Sequence, residues 1–156
     1  MNIKKIFFLT IIFAITNCGY QPIHLSKSSS NFTINEITEK GDKTINRKIL
    51  SKTNLKNKNK NKTEAEYNLT IKSLKKNEIT SKDTSGNALT HKISIQVDII
   101  LNNPEDSTII FKQKSFNSSF NYNDRGSKFS LFQHVKTIES DLIDKISRDI
   151  KIFLNF

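Results

Sequence analysis

The chain has a single cysteine, Cys18, so no internal disulfide can form and no cysteine-based metal layout is available. Its histidines, His24, His91 and His134, stand far apart in sequence, which argues against a metal cluster. The four glycines (Gly19, Gly41, Gly86 and Gly126) make no phosphate-cradling loop. No serine sits in the strand-to-helix context of a hydrolase nucleophile. Asp141, Asp144 and Asp149 fall on the polar side of an amphipathic segment, where a carboxylate is ordinarily solvated. These absences leave no catalytic constellation, so the chain is expected to be neither an enzyme nor a cofactor protein. Arginine is also scarce, occurring at Arg47, Arg125 and Arg148, whereas Lys, Asn and Ile abound. Part of the net charge of +10 is therefore compositional. The remainder favours anionic partners such as nucleic acid, phosphorylated lipid or a membrane surface.

A long hydrophobic run is missing too. The apolar stretch from Ile6 to Ile15 follows the basic pair Lys4 and Lys5 and is too short to span a bilayer, which takes about 20 residues. A charged start, a short apolar core and a cleavage region are the layout of a secretory signal. Cys18 lies just past that core, where a lipobox places the thiol that is acylated and becomes the first residue after cleavage. Asn17 stands where such boxes usually carry Gly, Ala or Ser. An unpaired thiol in an exported protein would be a reactive liability, and acylation removes it. Two or more acyl chains hold a protein firmly on a membrane. The expected organisation is a leader over 1–17, a lipidated N-terminus and serine-rich tether over 18–31, and one domain over 32–156. Export excludes nucleic acid as a partner.

Along that domain, Phe32, Ile34 and Ile37 indicate a first strand that ends at Gly41-Asp42. Asp42 is placed to cap a helix starting at Lys43, with Ile45, Ile49, Leu50 and Leu55 on its apolar side. The tract from Lys56 to Lys62 alternates Lys and Asn with no apolar residue. Such a tract usually makes a solvated loop, the other reading being a basic finger for phosphate head groups. Tyr67, Leu69 and Ile71 alternate with polar residues as a half-buried strand, followed by polar residues 75–77 and turn chemistry over Asp83–Asn87. In Leu89–Ile99 the odd positions are apolar except His91, and the even positions are polar. His91, near the end of the apolar side, reads as a satisfied core histidine. Residues 102–106 make a turn. The apolar phase then changes from Ile109 and Phe111 to Phe116, Phe120 and Tyr122, which predicts a bulge near Lys112–Ser115. Ser130 with Gln133 has the spacing of a capping box. Val135, Ile138, Leu142, Ile146, Ile150 and Phe153 recur every three or four residues and predict a long final helix.

The order β-α-β-β-β-α predicts an α+β two-layer sandwich, with a four-stranded, mostly antiparallel sheet and both helices on one face. The other face, with Lys92, Gln96 and Asp98, is left for solvent or a partner.

Three segments carry a likeness to a known family. Cys18-Gly19-Tyr20-Gln21-Pro22 is similar to its Cys-Gly-aromatic-x-Pro start. Ser118-Ser119-Phe120-Asn121-Tyr122, running on to Phe129, is similar to its last strand and helix entry. The long amphipathic C-terminal helix, with the element order before it, completes the match. The chain thus resembles the lipopolysaccharide-assembly lipoprotein LptE of the Gram-negative outer membrane. It departs from that family in Asn17, the tract over 56–62 and the scarcity of arginine. The resemblance implies a protein lipid-anchored in the outer membrane on its periplasmic side, Gly19 replacing the aspartate that retains enteric lipoproteins in the inner membrane. It implies that the domain plugs the lumen of the barrel protein LptD, assists that barrel's assembly and binds lipopolysaccharide. A wide barrel leaves an aqueous lumen, which a rigid domain can fill. Lys72, Lys75, Lys76 and Lys82, around the connection from second to third strand, are the expected contacts for the lipopolysaccharide phosphates. The alternative is a lipoprotein accessory subunit of a periplasmic lipid or solute transporter.

Overall fold

The computed structural model describes residues 32–55, 65–123 and 127–154. The leader, Cys18, the tether and the tract over 56–62 lie outside the described residues. The elements are β1 (Phe32–Gly41), α1 (Lys43–Thr53), β2 (Ala65–Lys82), β3 (Ala88–Asn102), β4 (Ile110–Asn123) and α2 (Lys128–Leu154). One four-stranded sheet has the order β1-β2-β3-β4. β1 runs parallel to β2, and the other two pairs are antiparallel. The parallel pair follows from α1, which carries the chain back to the end where β1 began. The architecture is therefore the α+β sandwich expected from the element order.

The corner between β1 and α1 is built by three neighbours. Gly41 has φ +77°, and a Cβ there would stand 1.9 Å from the Ser73 carbonyl oxygen. That same carbonyl accepts from the Asp42 backbone N–H at 3.1 Å, and the Ser73 hydroxyl donates to the Asp42 carbonyl at 3.0 Å. The Asp42 carboxylate then caps α1 as predicted, accepting from the N–H groups of Thr44 (2.9 Å) and Ile45 (3.1 Å). This fixes Ile45 and Ile49 against the sheet, where both are fully buried.

The core lies between the sheet and the two helices. β3 contributes Ile93, Ile95, Val97, Ile99 and Leu101, β2 contributes Leu69 and Ile71, and α2 contributes Ile138, Leu142, Ile143, Ile146 and Ile150. His91 stands at the edge of this layer. Its ring stacks on Tyr122 with centroids 5.3 Å apart, and Tyr122 meets His134 edge-on at 6.4 Å. The histidine is a packing group, in keeping with its place in the alternation.

Three expectations are corrected. β2 does not stop after Ile71 but pairs with β3 as far as Lys82, so residues 72–82 are strand rather than connection. Leu74 disguised this, because it lies on the uncovered face and breaks the apolar alternation. The bulge lies earlier than predicted. Lys112 pairs with Leu101 and Ile110 with Asn102, which leaves Phe111 as the extra residue. Finally, α2 begins at Lys128 and its cap is Ser127, whose hydroxyl accepts from the Ser130 N–H at 3.2 Å. Ser130 is thus inside the first turn, and the box with Gln133 does not form. The exposed Phe129 and Phe132 hid this start by breaking the apolar period.

Candidate ligand-binding face

Because both helices pack on one side of the sheet, the other side carries the polar positions of β2, β3 and β4. Register determines which of them meet. Leu74 pairs with Gln96 and Gln96 with Asn117; Lys76 pairs with Ser94 and Ser94 with Ser119; Lys92 pairs with Glu78 and Asn121. These rows enclose a shallow depression of about 260 Å³, lined by Leu74, Lys76, Lys92, Ser94, Gln96, Asn117 and Ser119. The lining thus combines two lysines with hydroxyls, amides and the apolar residues Leu74 and Ile95. Such a set can hold an anionic group through charge-assisted hydrogen bonds and a sugar through neutral ones. Further along the face, the Asp98 carboxylate accepts from Ser115 Oγ at 2.6 Å and from Gln96 Nε2 at 3.2 Å. Carboxylates thus flank the depression on both sides, Asp98 opposite Lys72 and Glu78 opposite Lys92, which leaves Lys76 paired with the neutral Ser94.

The four lysines singled out in the sequence do not converge. Lys76 lines the depression, and Lys72 lies on the same face opposite Asp98. Lys82 stands at the far end of β2, paired with Ala88. Lys75 points the other way, because neighbouring strand residues alternate sides. Its Nζ is 3.0 Å from Glu139 on α2, and Lys48 of α1 reaches the same carboxylate at 3.3 Å. Burial pushes the Glu139 carboxyl up, but hydrogen bonds from Lys75 and Lys48, with their charges, outweigh it and hold the group below its ordinary value. Lys75 is therefore a structural residue. Lys92 is the member the sequence reading left out of the set. Its place among the polar positions of the β3 alternation was the available signal, but its position diagonal to Lys76, one step along from the Lys76–Ser94 pair, depends on register.

Among the described residues no group of His, Cys, Asp and Glu could hold a metal ion, and no helix is long and apolar enough to cross a membrane.

The class this geometry defines is an α+β sandwich with one helical face and one open, polar sheet face. No protein-family model matches the chain, and no curated protein matches its sequence. Solved structures do share the fold. The rare lipoprotein B of Shewanella oneidensis superposes with a TM-score of 0.53 at 12% identity, over 74% of this chain and 90% of that one. The uncharacterized lipoprotein B of Nitrosomonas europaea gives 0.53 at 15% identity, over 77% of this chain and 80% of that one.

Proposed function

We propose that the protein is an outer-membrane lipoprotein, held on the periplasmic side by acyl chains on Cys18, that plugs the LptD barrel, assists its assembly and binds lipopolysaccharide on its way to the cell surface. The observation that carries this reading is the fold. A sandwich of this order, matching lipoproteins over most of their length, follows a leader whose only cysteine closes the apolar run. The open face adds chemistry in the same sense. The Lys76 and Lys92 ammonium groups suit the phosphates of lipid A, and the Ser94, Gln96, Asn117 and Ser119 side chains suit its sugars. Of the lysines expected from the sequence, Lys76 stays in the set proposed for that contact, Lys92 joins it, and Lys75 and Lys82 leave it. The test is binding of the full, lipidated protein to purified lipopolysaccharide. Combined Lys76→Glu and Lys92→Glu should weaken binding at least tenfold, as expected for about 1.4 kcal/mol or more of lost charge-assisted contact. Lys75→Gln should leave it unchanged. Equal binding by all three proteins would remove the open face from the account.

A further inference from the structure

We propose that the end of the domain from which the tether departs is a docking surface for the lipid bilayer, so that before it enters a barrel the sandwich stands on the membrane rather than swinging above it. This rests on the lipid anchor at Cys18 and not on the barrel. The tether of residues 18–31 spans at most about 50 Å when fully extended, so acyl chains at Cys18 keep Phe32 within that distance of the membrane.

What lies beside Phe32 is a continuous ladder of rings and lysines. The Phe32 ring meets Tyr67 edge-on at 5.9 Å, and Tyr67 stacks on Phe111 at 4.5 Å. Lys112 Nζ lies 5.7 Å from the ring centroids of both Phe111 and Phe153. Lys114 Nζ in turn lies 5.3 Å from Phe116 and 5.6 Å from Phe153. The ladder thus joins the entry of the chain to the start of β4 and the close of α2.

The rim of this end is apolar and uncovered. Ile109 is 55% exposed, Ile110 51%, Phe111 53% and Ile152 68%. Aliphatic and aromatic side chains with lysines at their edge match the boundary between acyl chains and head groups. There an apolar body is buried while the ammonium group reaches the phosphates. The bulge at Phe111 contributes directly, since the extra residue turns the β4 start so that Ile110 and Phe111 both project at this end. Glu105 and Asp106 stand in the β3–β4 turn at the same end and oppose the lysines. Burial of apolar side chains therefore carries the contact, which needs no anionic lipid.

The chain has no tryptophan, so one introduced indole reports its own surroundings without background. The test uses the full lipidated protein in phosphatidylethanolamine–phosphatidylcholine vesicles, with and without brominated acyl chains. Three single variants are compared: Phe111→Trp and Ile152→Trp on the rim, and Ile79→Trp at the opposite, hairpin end, where the side chain is 52% exposed. Circular dichroism and flotation of each variant accompany the fluorescence. The expected result is about twofold quenching by bromine at the two rim positions, as for side chains at the head-group boundary, and none at Ile79→Trp. Protein that floats with its vesicles yet shows equal emission, or equal quenching, at all three positions overturns the docking surface alone. Protein that does not float overturns the anchor, and this inference with it.

Discussion

At Gly41 the whole β1–α1 corner depends on the absence of one carbon atom. The positive φ is strained for any L-residue, and the nearest atom to a new Cβ is backbone oxygen rather than a side chain that could move aside. Gly41→Ala should cost about 2–3 kcal/mol in urea unfolding. Gly86 also has a positive φ but faces open space, so Gly86→Ala should cost about 1 kcal/mol. Glu139 gives the residue-scale pH dependence. Its folded-state value lies below its ordinary 4.5, so its contribution is present above that value and is lost as the pH falls through the folded one. Glu139→Gln should therefore flatten the acid limb of a stability–pH curve. The effect at neutral pH should be on the order of 1 kcal/mol, since both lysines remain partly exposed. At this scale Asp42 was legible because an N-cap is a local device. Lys75 was not, because its partner Glu139 lies 64 positions away in sequence, on α2.

At the scale of the element, α2 holds the two layers together. Ile143 and Ile146 are almost fully buried between sheet and helix, so either one changed to Ala should cost about 2–5 kcal/mol, read as a lowered unfolding midpoint. The observed cap makes a sharper prediction. Ser127→Ala should destabilise by about 1 kcal/mol, whereas Gln133→Ala should be within about 0.5 kcal/mol of neutral. The opposite ranking would restore the box read from the sequence. The long final helix and β3 were legible because each buries a regular stripe, at period 3.6 and period 2 respectively. The length of β2 was hidden because its second half carries Leu74 on the open side, out of phase, and because polar residues at 73, 75 and 77 separate Ile71 from the next in-phase apolar residue, Ile79. The bulge was expected from a phase change, but the phase alone brackets several residues. Only pairing with Leu101 and Asn102 isolates Phe111.

At the scale of the molecule, the sheet has two unlike faces. Its helical face makes the core, and its open face carries Lys76, Lys92 and the neutral polar groups between them. The existence of that free face was legible in the β3 alternation. Its composition was not, because cross-strand neighbours such as Lys76 and Ser94 are set by the β2–β3 hairpin register. The proposed lipid anchor predicts that Cys18→Ser releases the protein from membranes, which fractionation of cells would show as transfer from the membrane pellet to the soluble periplasm. The claim on which the account turns is the partner. The measurement that tests it most directly is mild-detergent purification of the tagged, lipidated protein, followed by mass spectrometry of what remains bound. Recovery of a large outer-membrane barrel in constant stoichiometry is the predicted result. Recovery of inner-membrane transporter subunits in its place would contradict the plug and make the protein a transport accessory.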